Sequence, residues 1–239
     1  MKLFNLDSPF MQVMNKAADL MWLNVLTMIC CIPIITAGAS LTAMHYMALK
    51  IVRDEECYIT KEFFKSFKLN FKQATAIWLI MLAVFFLLAG DFYIIRNSGL
   101  EFNKTLQVIL VVVAFLALFA SVFVFPVLAK FDNTVLHTIR NSFFIGILQF
   151  PKTILMIVLC AVPVLLFVFF PQIMPVVFLY GLSAPAWASA KLYNKFFRKL
   201  EDQYLEANPP EEEESADEDE RIFRDKLDDA LIEDVNGNK

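Results

Sequence analysis

Chemistry needs a nucleophile beside a base, a ligand cluster or a buried charge, and this chain has few such residues. Its two histidines, His45 and His137, lie in different segments without clustered carboxylates, so they suggest no metal site. Cys30, Cys31, Cys57 and Cys160 form no CxxC or zinc-like spacing. Three of them fall in apolar runs, where a thiol packs as a small hydrophobe. There is no GxSxG, P-loop, HExxH or dinucleotide fingerprint. Asp19 and Asp91 stand at the ends of apolar runs and read as interfacial carboxylates on the outer side, not as a proton relay. Asn24, Thr27, Thr36, Ser40 and Thr42 form a polar stripe. Such groups either hydrogen-bond between helices or line a substrate pocket. The sequence assigns no catalytic, cofactor-binding or metal-binding residue.

The elements that carry these residues are oily. Of 239 residues, 58% are hydrophobic, 19% are charged and 25 are Phe, which is apolar for a soluble domain. A bilayer core of roughly 30 Å needs about 20 apolar residues in a helix. Val108–Ala129 has no charge, and 16 of its 22 positions are Val, Ile, Leu or Phe; its insertion is favoured by several kcal/mol. Further runs are Ala74–Gly90 and Leu20–Ala43, the latter interrupted by Pro33 and Gly38. Thr153–Phe170 and Ile173–Ala190 follow, divided by Pro171 and Gln172. These last two read as two spans, with one kinked helix or a re-entrant hairpin as alternatives. Ala37-Gly38-Ala39 looks like a signal cleavage site, but the acids before it and the basic loop after it argue against secretion.

Loop charge gives an orientation. With five spans, alternate compartments hold 13 Lys and Arg against 4. The positive-inside rule then puts the N-terminus outside and the C-terminus in the cytoplasm. The richest loop carries Lys50, Arg53, Lys61, Lys65, Lys68 and Lys72. At about 100° per residue, the last four of these share one helix face, and Phe63, Phe64, Phe67 and Phe71 share a neighbouring one. This is the pattern of a helix in the membrane interface with its lysines toward lipid phosphates. It equally fits a helix packed on the protein's own cytoplasmic face. Thr138–Phe150 resembles it weakly, and chance in a Phe-rich chain accounts for the match of Phe64 and Lys72 to Phe144 and Lys152. Ser8 as a cap and Pro9 at the first helical position start an interfacial helix with Phe10, Val13, Met14, Ala17 and Met21 on one face.

Two small-residue patches, Thr36–Ser40 and Gly181, Ser183, Ala184, Ala188, Ser189 and Ala190, predict close packing of the first and fifth spans. Residues 1–200 hold 17 Lys and Arg against 9 Asp and Glu, whereas residues 201–239 hold 4 against 16. After Pro209-Pro210, the run Glu211–Glu214 resists compaction. Phe223, Leu227, Leu231 and Val235 recur at helical spacing within an otherwise disordered, solvated tail.

Leu23-Asn24, Cys31–Gly38, Ser40 and Ala43 resemble the first-span signature of the YesL family of bacterial membrane proteins, a domain of unknown function. Phe63–Gln73 is similar to its loop motif. The resemblance covers roughly residues 5–200 and is most specific over residues 20–75. It implies a Gram-positive-type plasma-membrane protein of four or five spans, encoded near genes for carbohydrate uptake and polysaccharide use. It supplies no ligand or catalytic residues.

The expectation is an all-α polytopic transmembrane helix bundle of about five spans with interfacial amphipathic helices. Residues 1–200 form the transmembrane domain and 201–239 an acidic cytoplasmic tail. The expected role is an accessory or regulatory component of carbohydrate uptake, without enzymatic activity or cofactor. A small permease with its own solute path is the alternative. The partners expected are the lipid bilayer and a sugar transporter complex or further copies of the chain, not nucleic acid.

Overall fold

The computed structural model describes residues 9–55, 57–97, 103–131 and 133–207. Among these residues all regular structure is helical. The helices are α1 (Pro9–Cys31), α2 (Ala37–Arg53), α3 (Ile59–Asn97), α4 (Lys104–Lys130), α5 (Val135–Leu148), α6 (Phe150–Phe169), α7 (Met174–Tyr180) and α8 (Ser183–Ala207). Short 3-10 turns occupy Ile34–Thr36 and Pro171–Ile173. Ser8 as a helix cap and the acidic run after Pro209-Pro210 lie outside the described residues.

Three of these helices, α3, α4 and α6, are long and apolar enough to cross a membrane. Residues Pro171–Tyr180 and Ser183–Gln203, bent by 56° at their junction, make a fourth if taken as one span. The chain thus has the long apolar helices of a multi-pass membrane protein, but the run Leu20–Ala43 is not one of its spans. That run is a helical hairpin. Ser40 Oγ donates to Thr27 O at 2.9 Å, although 13 residues of continuous helix would separate them by about 20 Å. Lys16 pairs with Asp54, and Trp22 Nε1 donates to Thr60 Oγ1 at 2.9 Å. The start of α1 therefore lies beside the end of α2 and the start of α3. Pro33 explains the break: it has no N–H to donate, and its ring crowds the preceding turn.

α3 has 39 residues, about 58 Å of helix, nearly twice the hydrocarbon thickness. Its first half packs along α2. The hairpin tip reaches only mid-helix, where Trp78 Nε1 donates to Ile34 O at 2.8 Å. Beyond Leu79, α3 continues with Phe85, Phe86, Leu87 and Ile94 exposed, and the first half of α4 exposes Val108, Val111 and Phe115 among others. In water such surface would drive aggregation; in hydrocarbon it is solvated.

The main core gathers Leu23, Met47, Phe63, Phe123, Tyr193 and Phe197. A smaller one gathers Ala39, Ala74, Ile77, Val124, Phe125 and Leu128. Phe63 is fully buried, and Phe67 packs partly buried against both cores. Phe63 thus turns into the protein and Phe67 and Phe71 are partly buried, whereas Phe64 stays exposed. The proposed interfacial helix is the first half of α3, and its lysines line the opposite, outer side. Between α6 and α7 the chain turns back at Phe170–Ile173, and α6 packs against both α7 and α8. This turn excludes a single kinked helix over 153–190 and fits the two spans read there, the second of them bent.

Candidate functional site

Of the polar stripe, Asn24, Thr27, Ser40 and Thr42 are buried and Thr36 is half-buried at the hairpin tip, and all five have backbone partners. Asn24 is fully buried. Its Nδ2 donates to Phe178 O at 2.7 Å. Its Oδ1 accepts from Leu182 N and Ser183 N, both at 2.9 Å. One amide thus serves the carbonyl end of α7 and caps the amide end of α8, the orphan groups that a helix break creates. Thr27 Oγ1 donates to Leu23 O, Thr42 Oγ1 to Gly38 O, and Thr36 Oγ1 to Cys30 O at 2.6 Å. The last bond closes the hairpin tip.

The small-residue patch of α2 meets a different neighbour from the one expected. A Cβ placed on Gly38 would fall 2.6 Å from both Ala74 O and Trp78 Cβ of α3. Gly181 is tight against Val177, in the turn before α8. The close approach expected between the first and fifth spans is therefore, at Gly38, an α2–α3 contact. α2 does pack on α8, further down, through Ala43, Ala48, Ala186 and Ala190.

A charged clamp joins α2 and α8, and sequence reading missed it. Arg53 donates to both oxygens of Glu201, at 3.0 and 2.7 Å, and its Nε donates to Asn194 Oδ1 at 2.9 Å. Both charged side chains are nearly buried. This is the bidentate fork that suits arginine to a carboxylate. The 148 residues between the partners left no local pattern to read.

Next to this clamp, His45 stacks at a tilt on Tyr193, with ring centroids 6.5 Å apart. His45 Nδ1 and Tyr193 Oη are buried without a hydrogen-bond partner among the described residues. Burial lowers the imidazole to a pKa of about 4, so it is neutral near pH 7. His137 stands on α5. All four cysteines are free. Among the described residues no three His, Cys, Asp or Glu side chains come together as a metal site.

A groove of about 970 Å³ opens between α1 and the start of α3. Trp22, Tyr58 and Phe64 form its aromatic lining, and Lys61, Lys65, Lys68 and Asp19 its charged lining. Asp19 therefore sits at the end of the bundle that carries the lysines, not on the far side with Asp91 as expected. Burial raises the pKa of its carboxyl.

A family model described as "Protein of unknown function, DUF624" matches residues 20–92, well under half of the chain. This span takes in α2, most of α1 and most of α3. No curated protein and no solved structure matches the chain.

Proposed function

We propose that this chain is a non-catalytic accessory or regulatory subunit of a carbohydrate-uptake system in a bacterial plasma membrane, and that the match over residues 20–92 extends to membership of the YesL family. The observation that carries this reading is the fate of the polar stripe. Asn24, Thr27, Thr36, Ser40 and Thr42 were the best candidates for a solute path, and each spends its side chain on a backbone partner. A path through the membrane needs polar groups facing a cavity instead. The apolar faces of α3, α4 and α6 are far larger than one chain covers, which suits a subunit bordered by lipid and by other transmembrane helices. The link to sugar uptake comes from the family resemblance alone.

The lysines of α8 favour the cytoplasm for its C-terminal end. The hairpin geometry favours the same side for the start of α1, in place of the outside position expected from five spans. Lys2 and Lys16 then join the basic side, and only Arg96 and Lys104 remain opposite. This is a stronger positive-inside bias than five spans give.

The test is an affinity pull-down from native membranes in mild detergent, with cells grown on several polysaccharides. Recovery of sugar-transporter subunits with the chain is the expected result, and a solitary protein under every condition counts against the proposal. The permease reading draws on the broken helices, above all the 56° bend between α7 and α8. Solute flux in vesicles holding this chain alone would favour it.

A further inference from the structure

We infer that the groove between α1 and α3 binds the phosphate headgroup of an anionic phospholipid, with the lipid's acyl chains lying along the outer face of α1. Three observations converge on it. The first is charge: Lys61, Lys65 and Lys68 line the groove, one turn apart on one face of α3, with Asp19 the carboxylate among its described lining residues. The second is chemistry at the boundary: Trp22, Tyr58 and Phe64 line the same groove, and amphipathic aromatic rings are typical of the headgroup level.

The third is continuity with an apolar surface. Met21 and Ile29 are exposed on one side of α1 as it runs from the groove to the hairpin tip, where Ile32 is exposed as well. Trp22 stands at the edge of that side and is itself about half exposed. A ligand with an oily tail and an anionic head matches such a surface from end to end. Height agrees for Lys68, the groove lysine nearest the hydrocarbon. The apolar stretch of α3 begins at Ala74, six residues or about 9 Å of helix beyond Lys68. The headgroup layer adds some 5–7 Å to each side of the hydrocarbon, and a lysine stem readily spans the rest.

The experiment uses the full chain in phosphatidylcholine vesicles, with Trp78→Phe and Trp187→Phe leaving Trp22 as the only indole. Brominated phosphatidylglycerol and brominated phosphatidylcholine are titrated in separately, and quenching of Trp22 is read. The expected result is a preference for phosphatidylglycerol of about tenfold or more. The preference should disappear in the Lys61→Gln, Lys65→Gln, Lys68→Gln variant and should be unaffected by millimolar inorganic phosphate. Equal quenching by the two lipids overturns the proposal. So does a preference that survives loss of the lysines, or displacement by free phosphate. A preference seen only after removal of residues 208–239 overturns it too, because the acidic tail would then hold the groove in the full chain. Should the tryptophan changes disturb folding, mass spectrometry of the unsubstituted chain serves instead. Retained phosphatidylglycerol that falls with the three lysine changes supports the site, and no such dependence overturns it.

Discussion

Asn24 shows most directly how a polar residue in an oily segment is used. It satisfies three backbone groups at the break between α7 and α8. Asn24→Ala strands a buried carbonyl and two amides, at about 1–3 kcal/mol for each unsatisfied group. A clear loss of thermal stability in detergent, read by near-ultraviolet circular dichroism, is the expected outcome; an unchanged melt would refute the capping role. His45 gives a pH prediction. Its folded pKa of about 4 lies below the ordinary 6.5, so the unfolded chain takes up the proton first as pH falls. Its contribution is present above about pH 6.5 and is lost as pH drops toward 4. His45 as a whole residue is half-buried, so the loss at pH 5.5 is at most about 1 kcal/mol. Melts at pH 7.5 and 5.5 should differ less in His45→Gln than in the parent.

At the scale of the helix, close approach decides. Gly38 has no room for a methyl group against the α3 backbone, whereas a Cβ on Gly90 meets nothing within 4 Å. Gly38→Ala should cost about 1–3 kcal/mol through overpacking. Gly90→Ala should be neutral or stabilising by up to about 1 kcal/mol, because alanine is the better helix former. Comparison of the two melting temperatures checks this, and equal effects would count against the α2–α3 contact. These helices were only partly legible in the sequence. The apolar length of α3, α4 and α6 is a local property, and it was read correctly. The small residues around Gly38 announced a close neighbour but carried no information on which helix it would be. Pro33 was visible as an interruption. A reversal of direction there depends on Ser40, Trp78 and Asp54 finding partners elsewhere, and no spacing rule encodes that. The amphipathic lysine segment had two readings of equal weight; the burial of Phe63 favours packing on the protein, while Phe64 stays exposed.

For the whole molecule, the sequence suggested an odd number of crossings and ends on opposite sides. The α1–α2 hairpin turns back at mid-α3, which leaves three crossings, or four when the bent pair α7–α8 counts as one. With the native cysteines replaced, single cysteines at Lys16, Lys65 and Arg198 should react with an impermeant maleimide from one side of the membrane, and one at Lys104 from the other. Labelling of position 16 together with position 104 would restore the five-span arrangement. The Arg53–Glu201 clamp belongs to this scale as well. It fixes the last helix to the second across 148 residues, and breaking such a buried pair by removing one partner usually costs about 3–5 kcal/mol.

The bond from Leu182 to Asn24 also has a consequence in time. A ribosome releases Asn24 158 residues before its partner, a wait of roughly 8–30 s at ordinary elongation rates. Throughout that interval the amide of α1 must be hydrated or held by the insertion machinery, because its eventual acceptor and donors have not been made. The first segment to emerge is thus among the last to be completed, and a nascent chain halted before Ser183 has an unfinished first helix.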